Sequence, residues 1–294
     1  MKLSFFPLIP CLGIGLSLEL VAQKFETAAD TISVRVRLVE VHAAVMDRRG
    51  QYLSGLKAGQ FQVMEDGRPQ SIHLFEAQSS AMTLALLVDT TGSMAKVLPH
   101  VKNAVAQLVS AMKPEDSIGL FSFRNRLSVL QSFTKDHGAA LKALLATRAA
   151  GSTALFDSLT QLAVELSKTN GKKAILLFTD GEDNSSLLSM EQALQTVKRN
   201  GFPIYAVSQG SALENKIMLS RLQEVSEVTG GMAFEVRHAD EIGKTFNRVA
   251  ADLQHLYLLA YYPSHQENLR WRTINVVLPE QKGLKVRAKE GYLP

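Results

Sequence analysis

Short apolar runs separated by turn residues dominate positions 31–78. Apolar and β-branched side chains recur at alternate positions, as in residues 32–36, which is typical of strands with one buried face. Residues 61–64 predict a further strand, and the Asp-Gly pair within residues 65–67 predicts a tight turn after it. Turn signals at this spacing favour part of a β-sandwich.

From residue 82 onward, unbroken apolar runs alternate with stripes of helical period. An unbroken run predicts a strand buried on both faces, as in a parallel sheet covered by helices. The alternation predicts a doubly wound, mostly parallel α/β domain over residues 82–254. The apolar runs lie at residues 84–88, 118–123, 174–179, 203–207 and 232–236, and the helical stripes at residues 97–112, 141–145, 155–166, 190–199, 217–228 and 242–253.

After residue 255 the strand pattern returns, with runs at residues 256–262, 273–278 and 284–288. Trp271, the only tryptophan, is expected in the core or rim of this β region. Strand-rich ends therefore bracket an α/β middle. We expect residues 31–78 and 255–294 to pair into one sandwich, with the α/β domain inserted between them.

The first 22 residues predict a secretory signal peptide. Lys2 precedes an apolar stretch, Glu19 ends it, and Ala22 offers a small residue for cleavage. The stretch is short for a membrane span, although a retained anchor is the alternative. Cys11, the only cysteine, falls inside the stretch. We therefore expect a secreted or periplasmic protein without a membrane span or disulfide in its mature form.

Composition and charge exclude some partners. The chain has a net charge of +4 and is 46% hydrophobic and 20% charged, which is ordinary for a globular protein. Its basic residues occur in scattered pairs, so nucleic acid is not expected as a partner. The seven histidines have no metal-like spacing and are expected at the surface.

Oxygen-bearing side chains follow the buried strands. Asp89, Thr91 and Ser93 follow the first, Asp180 follows the run at 174–179, and Thr153 precedes a predicted helix. Ligands in open α/β sheets bind at the carboxyl ends of strands, so these loops are expected to converge. Two carboxylates and three hydroxyls suit Mg²⁺, with Mn²⁺ or Ca²⁺ as alternatives, and need water or an outside ligand to complete coordination. Taken singly, each residue could be a helix cap or a turn residue.

The acidic residues near these loops are not expected to bind the metal. Glu182 and Asp183 are expected in a solvated loop, with a role around the metal as the alternative. Asp157, one turn into the predicted helix after Thr153, is expected to be structural.

The pattern Asp89-x-Thr91-x-Ser93, then Thr153, then Asp180, resembles the metal-ion-dependent adhesion site of von Willebrand factor A domains. The resemblance implies that these residues surround a cation and that a partner protein supplies an Asp or Glu carboxylate to it. The usual first motif is Asp-x-Ser-x-Ser. Thr91 keeps the hydroxyl and adds a methyl group, which leaves the metal selectivity open.

Further segments, spread over nearly all of the mature chain, resemble the secreted "VWFA-related" proteins described from acidobacteria. These segments are Val45-x-Asp47-x-x-Gly50, Gly55-Leu56, Phe61-x-Val63-x-Glu65-Asp66-Gly67, Thr229-Gly230-Gly231, Tyr261-Tyr262-Pro263 and Gly291-Tyr292.

Three functions follow as hypotheses. The first is a metal-dependent, adhesion-type protein-binding module with no catalytic residue. The second is a structural or assembly protein whose metal only stabilises the fold. The third is a metal-dependent phosphohydrolase, which the sequence disfavours. Thr91 replaces the second Asp of haloacid dehalogenase-type phosphatases, and neither a phosphate-binding P-loop nor a Gly-x-Ser-x-Gly elbow is present.

Overall fold

The computed structural model describes residues 38–180, 183–264 and 270–294. The predicted signal peptide, the strand at 32–36 and Glu182 lie outside these residues. Within them, the strands are β1 Val39–Met46, β2 Gln62–Glu65, β3 Arg68–Gln70, β4 Leu74–Glu76, β5 Met82–Asp89, β6 Ser117–Phe123, β7 Leu127–Thr134, β8 Lys172–Thr179, β9 Ile204–Gln209, β10 Met232–Val236, β11 Tyr257–Tyr261, β12 Arg272–Val277, β13 Lys285–Ala288 and β14 Gly291–Tyr292. The helices are α1 Leu98–Ser110, α2 His137–Leu145, α3 Leu155–Leu166, α4 Met190–Asn200, α5 Lys216–Val228 and α6 Ile242–Leu253.

The middle of the chain forms a six-stranded sheet in the order β10-β9-β8-β5-β6-β7. The strands are parallel except β7, which is antiparallel to β6. Leu84 and Leu86 pack with α1, α2 and α6, whereas Ala85 and Leu87 pack with α3, α4 and α5. The predicted doubly wound sheet is confirmed, since both faces of β5 are covered. Among the described residues, none of these helices has the length and apolarity needed to span a membrane.

The two ends of the chain pair with each other in two four-stranded antiparallel sheets, β13-β1-β11-β4 and β14-β12-β2-β3. Val39 pairs with Tyr261 and Ala43 with Tyr257, so a strand before the α/β part joins one after it. The inserted arrangement predicted from the sequence therefore describes the fold. Val36–Pro294 form one compact unit, and the domain bounds drawn within it stay predictions.

The face of β1 turned away from the sandwich core meets the amino end of β8. Lys173 Nζ lies 3.0 Å from Glu40 Oε2, and the Lys173 backbone N–H donates to His42 Nε2 at 3.1 Å. His42 is 1% exposed, so its predicted surface position is wrong. Burial, followed by the charges of Lys173, Lys289 and Lys172, holds the pKa of His42 well below its usual range.

A buried carboxylate near the end of α6 connects this helix to β9 and to β13 of the sandwich. Asp252 is fully buried and accepts hydrogen bonds from the Tyr205 hydroxyl and the Arg287 guanidinium. Arg287 comes from β13 and also donates to the carbonyl of Gly230. One arginine of the sandwich thus contacts α6 and the turn before β10.

Candidate functional site

Asp89 is the last residue of β5 and is fully buried. Its Oδ1 accepts the backbone N–H of Thr91 at 2.9 Å, and its Oδ2 accepts the hydroxyl of Thr179 at 3.1 Å. Burial, with a smaller contribution from the charge of Asp180, raises the pKa of Asp89 from 3.8 to about 6 against the opposing effect of these hydrogen bonds. The carboxylate is therefore held rigidly in a place where its charge is unfavourable.

Two hydroxyls of the next loop stand beside this carboxylate. Thr91 Oγ1 and Ser93 Oγ lie 3.0 Å apart, and neither is used to cap the helical turn at residues 92–96. Thr91 is 2% exposed, whereas Ser93 is exposed. The loop thus places a buried hydroxyl and an exposed hydroxyl next to each other.

Thr153 is 7% exposed and is positioned by the loop that follows β8. Its backbone N–H donates to Asn184 Oδ1 at 2.9 Å, and its carbonyl accepts the N–H groups of Asn184 and Ser185 at 3.0 and 2.9 Å. It does not cap α3, whose N-cap position is Ala154 without a side-chain bond. The capping alternative for Thr153 is therefore wrong.

Asp180 directly follows β8 and is 6% exposed. Its carbonyl accepts the Ser211 hydroxyl at 2.8 Å and the Ala212 N–H at 2.9 Å, which fixes the backbone against the loop after β9. Burial raises the pKa of its carboxyl group, while hydrogen-bonded contacts with the Ser93 and Asp89 side chains are among those that oppose the rise. These bonds join the three side chains in one cluster.

The neighbouring acidic residues have structural roles. Asp183 accepts the Phe156 N–H at 2.8 Å and the Ser186 hydroxyl at 2.6 Å, so it stabilises the start of α3 and is not a solvated loop residue. The expectation of a solvated Asp183 is therefore wrong. Asp157 accepts the backbone N–H groups of residues 187 and 188 at 2.9 Å, as its predicted structural role requires.

The donor set fits a hard divalent cation. Two buried carboxylates, Asp89 and Asp180, make no ion pair with any described Lys or Arg. Buried charge without a partner is strongly unfavourable, and a bound cation would compensate it. No group of three or more His, Cys, Asp or Glu within the described ranges is placed to bind a metal, so hydroxyls and water would have to complete the coordination.

Residues 84–182 match the family model of the von Willebrand factor type A domain. This chain contains a von Willebrand factor type A domain. The matched residues run from β5 through β8 and include all five predicted site residues. No curated protein matches the sequence at a significant level.

Solved structures resemble this chain at low sequence identity. A von Willebrand factor type A protein from Catenulispora acidiphila is 12% identical, with a TM-score of 0.53 over 87% of this chain and 74% of that chain. Proximal thread matrix protein 1 from the mussel byssus is 17% identical, with a TM-score of 0.52 over 66% of this chain and 51% of that chain. The D319A mutant of the PilB minor pilin from Streptococcus sanguinis is 14% identical, with a TM-score of 0.49 over 60% of this chain and 62% of the pilin. The chain therefore spans less than two thirds of the pilin and about half of the mussel protein.

In this von Willebrand factor A domain, the predicted residues lie on three loops at the carboxyl edge of the sheet. Direct contacts join Asp89, Thr91, Ser93 and Asp180. Thr153 is connected to the loop after Asp180 through its backbone. Their role as metal ligands stays a prediction. No local pattern marks the supporting roles of Thr179 and Asn184, because both depend on contacts between distant loops.

Proposed function

We propose that the chain is a secreted or periplasmic binding module that holds one Mg²⁺, with Mn²⁺ or Ca²⁺ as alternatives, and binds a carboxylate of a protein partner through it. The proposed ligands are Asp89, Thr91, Ser93, Thr153 and Asp180. The observation that carries the proposal is the pair of buried carboxylates, surrounded by hydroxyls and unpaired with any described cationic side chain.

An incomplete ligand set favours docking over a closed structural site. Mg²⁺ requires near-octahedral oxygen coordination and usually keeps water ligands. Gly92 and Ser93 are exposed, so the outer side of the site is accessible to an external ligand. A partner carboxylate that replaced a water there would be bound by a charge-assisted contact.

Exposed aliphatic side chains at the same edge of the sheet as the site support a protein ligand. Leu187, in the loop after β8, is 95% exposed, and Ile217, in the first turn of α5, is 72% exposed. Both follow strands whose carboxyl ends lie at the site edge. Apolar side chains around a polar centre are typical of protein-binding surfaces.

Secretion is proposed from the apolar leader at residues 1–22. Mass spectrometry of the exported protein tests it. A mature chain that begins near residue 23 supports cleavage, whereas an intact N-terminus in the exported protein would contradict it.

The decisive experiment is calorimetric titration with Mg²⁺, followed by a blocked peptide that carries one Asp. Wild type should bind one Mg²⁺ and then the peptide, and Asp180→Asn should bind neither. Asp240→Asn is the matched control, because Asp240 is an exposed carboxylate that follows β10 at the same edge. Unchanged Mg²⁺ affinity in Asp180→Asn would place the metal elsewhere. Binding of Mg²⁺ with no peptide affinity would favour a purely structural metal.

A further inference from the structure

The loops on the β6 side of the candidate metal site carry only positive charge. Residues 90–97, 124–126 and 146–154 contain no Asp or Glu. Their basic side chains are all exposed, and none makes an ion pair with a residue that the structure describes. These side chains are Lys96, Arg124, Arg126 and Arg148.

Backbone hydrogen bonds hold these loops against one another. The Ala154 N–H donates to the Arg124 carbonyl at 2.7 Å, and the Ala150 N–H donates to the Thr90 carbonyl at 2.8 Å. The Ser152 N–H donates to Asn125 Oδ1 at 3.1 Å. The turn that carries Arg124 is therefore fixed relative to the loop that carries the proposed metal ligands.

Arg124 lies against a glycine whose carbonyl is hydrogen-bonded to the loop of the proposed ligands. A Cβ added to Gly151 would lie 3.4 Å from both Cβ and Cδ of Arg124, so the arginine stem runs along this glycine. The Gly151 carbonyl accepts the N–H of Gly92 at 3.4 Å, and Gly92 stands between two proposed ligands. The exposed guanidinium thus extends from a point directly beside the site.

The charge balance indicates what kind of ligand the face fits. A divalent cation would cancel the two carboxylates at the centre and leave the basic loops uncompensated. A ligand with a single carboxylate would occupy the metal and still leave the guanidinium unpaired. Arginine presents a planar fork that binds carboxylates in a bidentate manner, which makes a second carboxylate its natural partner.

We infer that the partner segment carries two carboxylates, one for the metal and a second that Arg124 binds. This inference rests on the proposed function, since the first carboxylate is the one that the metal would bind. Arg124 is then a specificity-determining residue that selects acidic segments over isolated Asp or Glu. The pairing is partly exposed, so the preference should weaken as ionic strength rises.

The test compares blocked glycine-based peptides that contain one Asp or two Asp separated by none, one or two Gly, titrated into the full chain with saturating Mg²⁺. We expect the best two-Asp peptide to bind roughly tenfold more tightly than the one-Asp peptide, as a charge-assisted contact allows. Arg124→Gln should reduce that preference to about twofold or less while it leaves Mg²⁺ affinity unchanged. Arg199→Gln, an exposed arginine at the far end of α4, should keep the full preference.

The possible outcomes distinguish failure of this inference from failure of the proposed function. Mg²⁺-dependent binding of both peptides with equal affinity would overturn the second-carboxylate contact and leave the metal-bridged function standing. A preference that persists in Arg124→Gln would also overturn the assignment to Arg124. Failure of every peptide to bind in the presence of bound Mg²⁺ would overturn the proposed function and this inference together.

Discussion

The substitution Asp89→Asn should stabilise the metal-free protein and abolish its response to Mg²⁺. The pKa of Asp89 is raised from 3.8 to about 6, chiefly by burial. A carboxyl with a raised pKa contributes its full stability below its unfolded value near 3.8 and loses it as pH rises through 6. At about 1.36 kcal/mol per pKa unit, ionised Asp89 costs the metal-free fold about 3 kcal/mol at neutral pH.

Asparagine removes this charge but keeps part of the hydrogen bonding. Its Oδ1 can still accept the Thr91 N–H, which Asp89 Oδ1 accepts at 2.9 Å. The bond from the Thr179 hydroxyl loses its charged acceptor, and bonds to charged groups exceed neutral ones by about 1 kcal/mol. The expected net gain in unfolding free energy is therefore about 1–2 kcal/mol at neutral pH without metal.

Urea denaturation in EDTA and in excess Mg²⁺ measures this effect through circular dichroism and tryptophan fluorescence. In EDTA the variant should be the more stable protein at neutral pH, and the difference should shrink toward pH 4 as Asp89 takes up its proton. In Mg²⁺ only wild type gains stability, so the ranking should reverse. A variant less stable than wild type in EDTA at neutral pH would refute the electrostatic reasoning. An undiminished Mg²⁺ response would show that Asp89 is not a ligand.

Three further substitutions test the fold that supports the site. Arg287→Met should lower the unfolding free energy by about 3–5 kcal/mol, because it leaves the buried Asp252 carboxylate without its cation; a loss below about 1 kcal/mol in urea denaturation would contradict this. As pH falls below the ordinary histidine pKa near 6.5, wild type should lose stability relative to His42→Gln by up to about 1.4 kcal/mol per pH unit, since neutral buried His42 resists protonation; a difference that does not vary with pH would argue against it. Gly231→Ala should give little soluble protein, since its Cβ would lie 1.9 Å from a carbonyl oxygen of β9. Gly59→Ala is the control and should fold normally, because its Cβ would have nothing within 4 Å. Comparable soluble yields of the two variants would contradict the packing argument.

The sheet and helices could be predicted because each follows from a local pattern with one physical cause. The run at 84–88 is apolar throughout because helices cover both faces of β5. The stripe at 155–166 is amphipathic because only one side of α3 meets the sheet. Once these elements alternate, the carboxyl ends of the strands must share one edge, which is enough to bring the loops of Asp89 and Asp180 together.

Roles that depend on contacts between distant segments could not be predicted in the same way. Asp183 stabilises the start of α3 across 27 positions of sequence, and nothing in the residues around it distinguishes it from a solvated loop residue. His42 is buried because the outer face of β1 meets β8, 131 positions away. The position of Arg124 beside Gly151 likewise exists only after the loops have packed. Local periodicity reports only which side of an element is buried and cannot predict such contacts.

Buried polar contacts join the sandwich to the α/β part, so we expect the two to unfold together. Arg287 of the sandwich neutralises Asp252 of α6, and Glu40 of the sandwich lies 3.0 Å from Lys173 of β8. Separation of the two parts would leave charges at this boundary without their partners. Such a penalty disfavours an intermediate in which only one part is folded.

Trp271 makes this coupling measurable in the same experiment as Asp89→Asn. It is the only tryptophan and directly precedes β12 of the sandwich, whereas the candidate metal site follows the far ends of β5 and β8. If unfolding is a single transition, Mg²⁺ must shift the fluorescence midpoint of wild type as far as the circular dichroism midpoint. If Mg²⁺ shifts the circular dichroism midpoint but leaves the fluorescence midpoint unchanged, the two parts unfold separately. The free energies expected for Asp89→Asn would then apply to the α/β part alone.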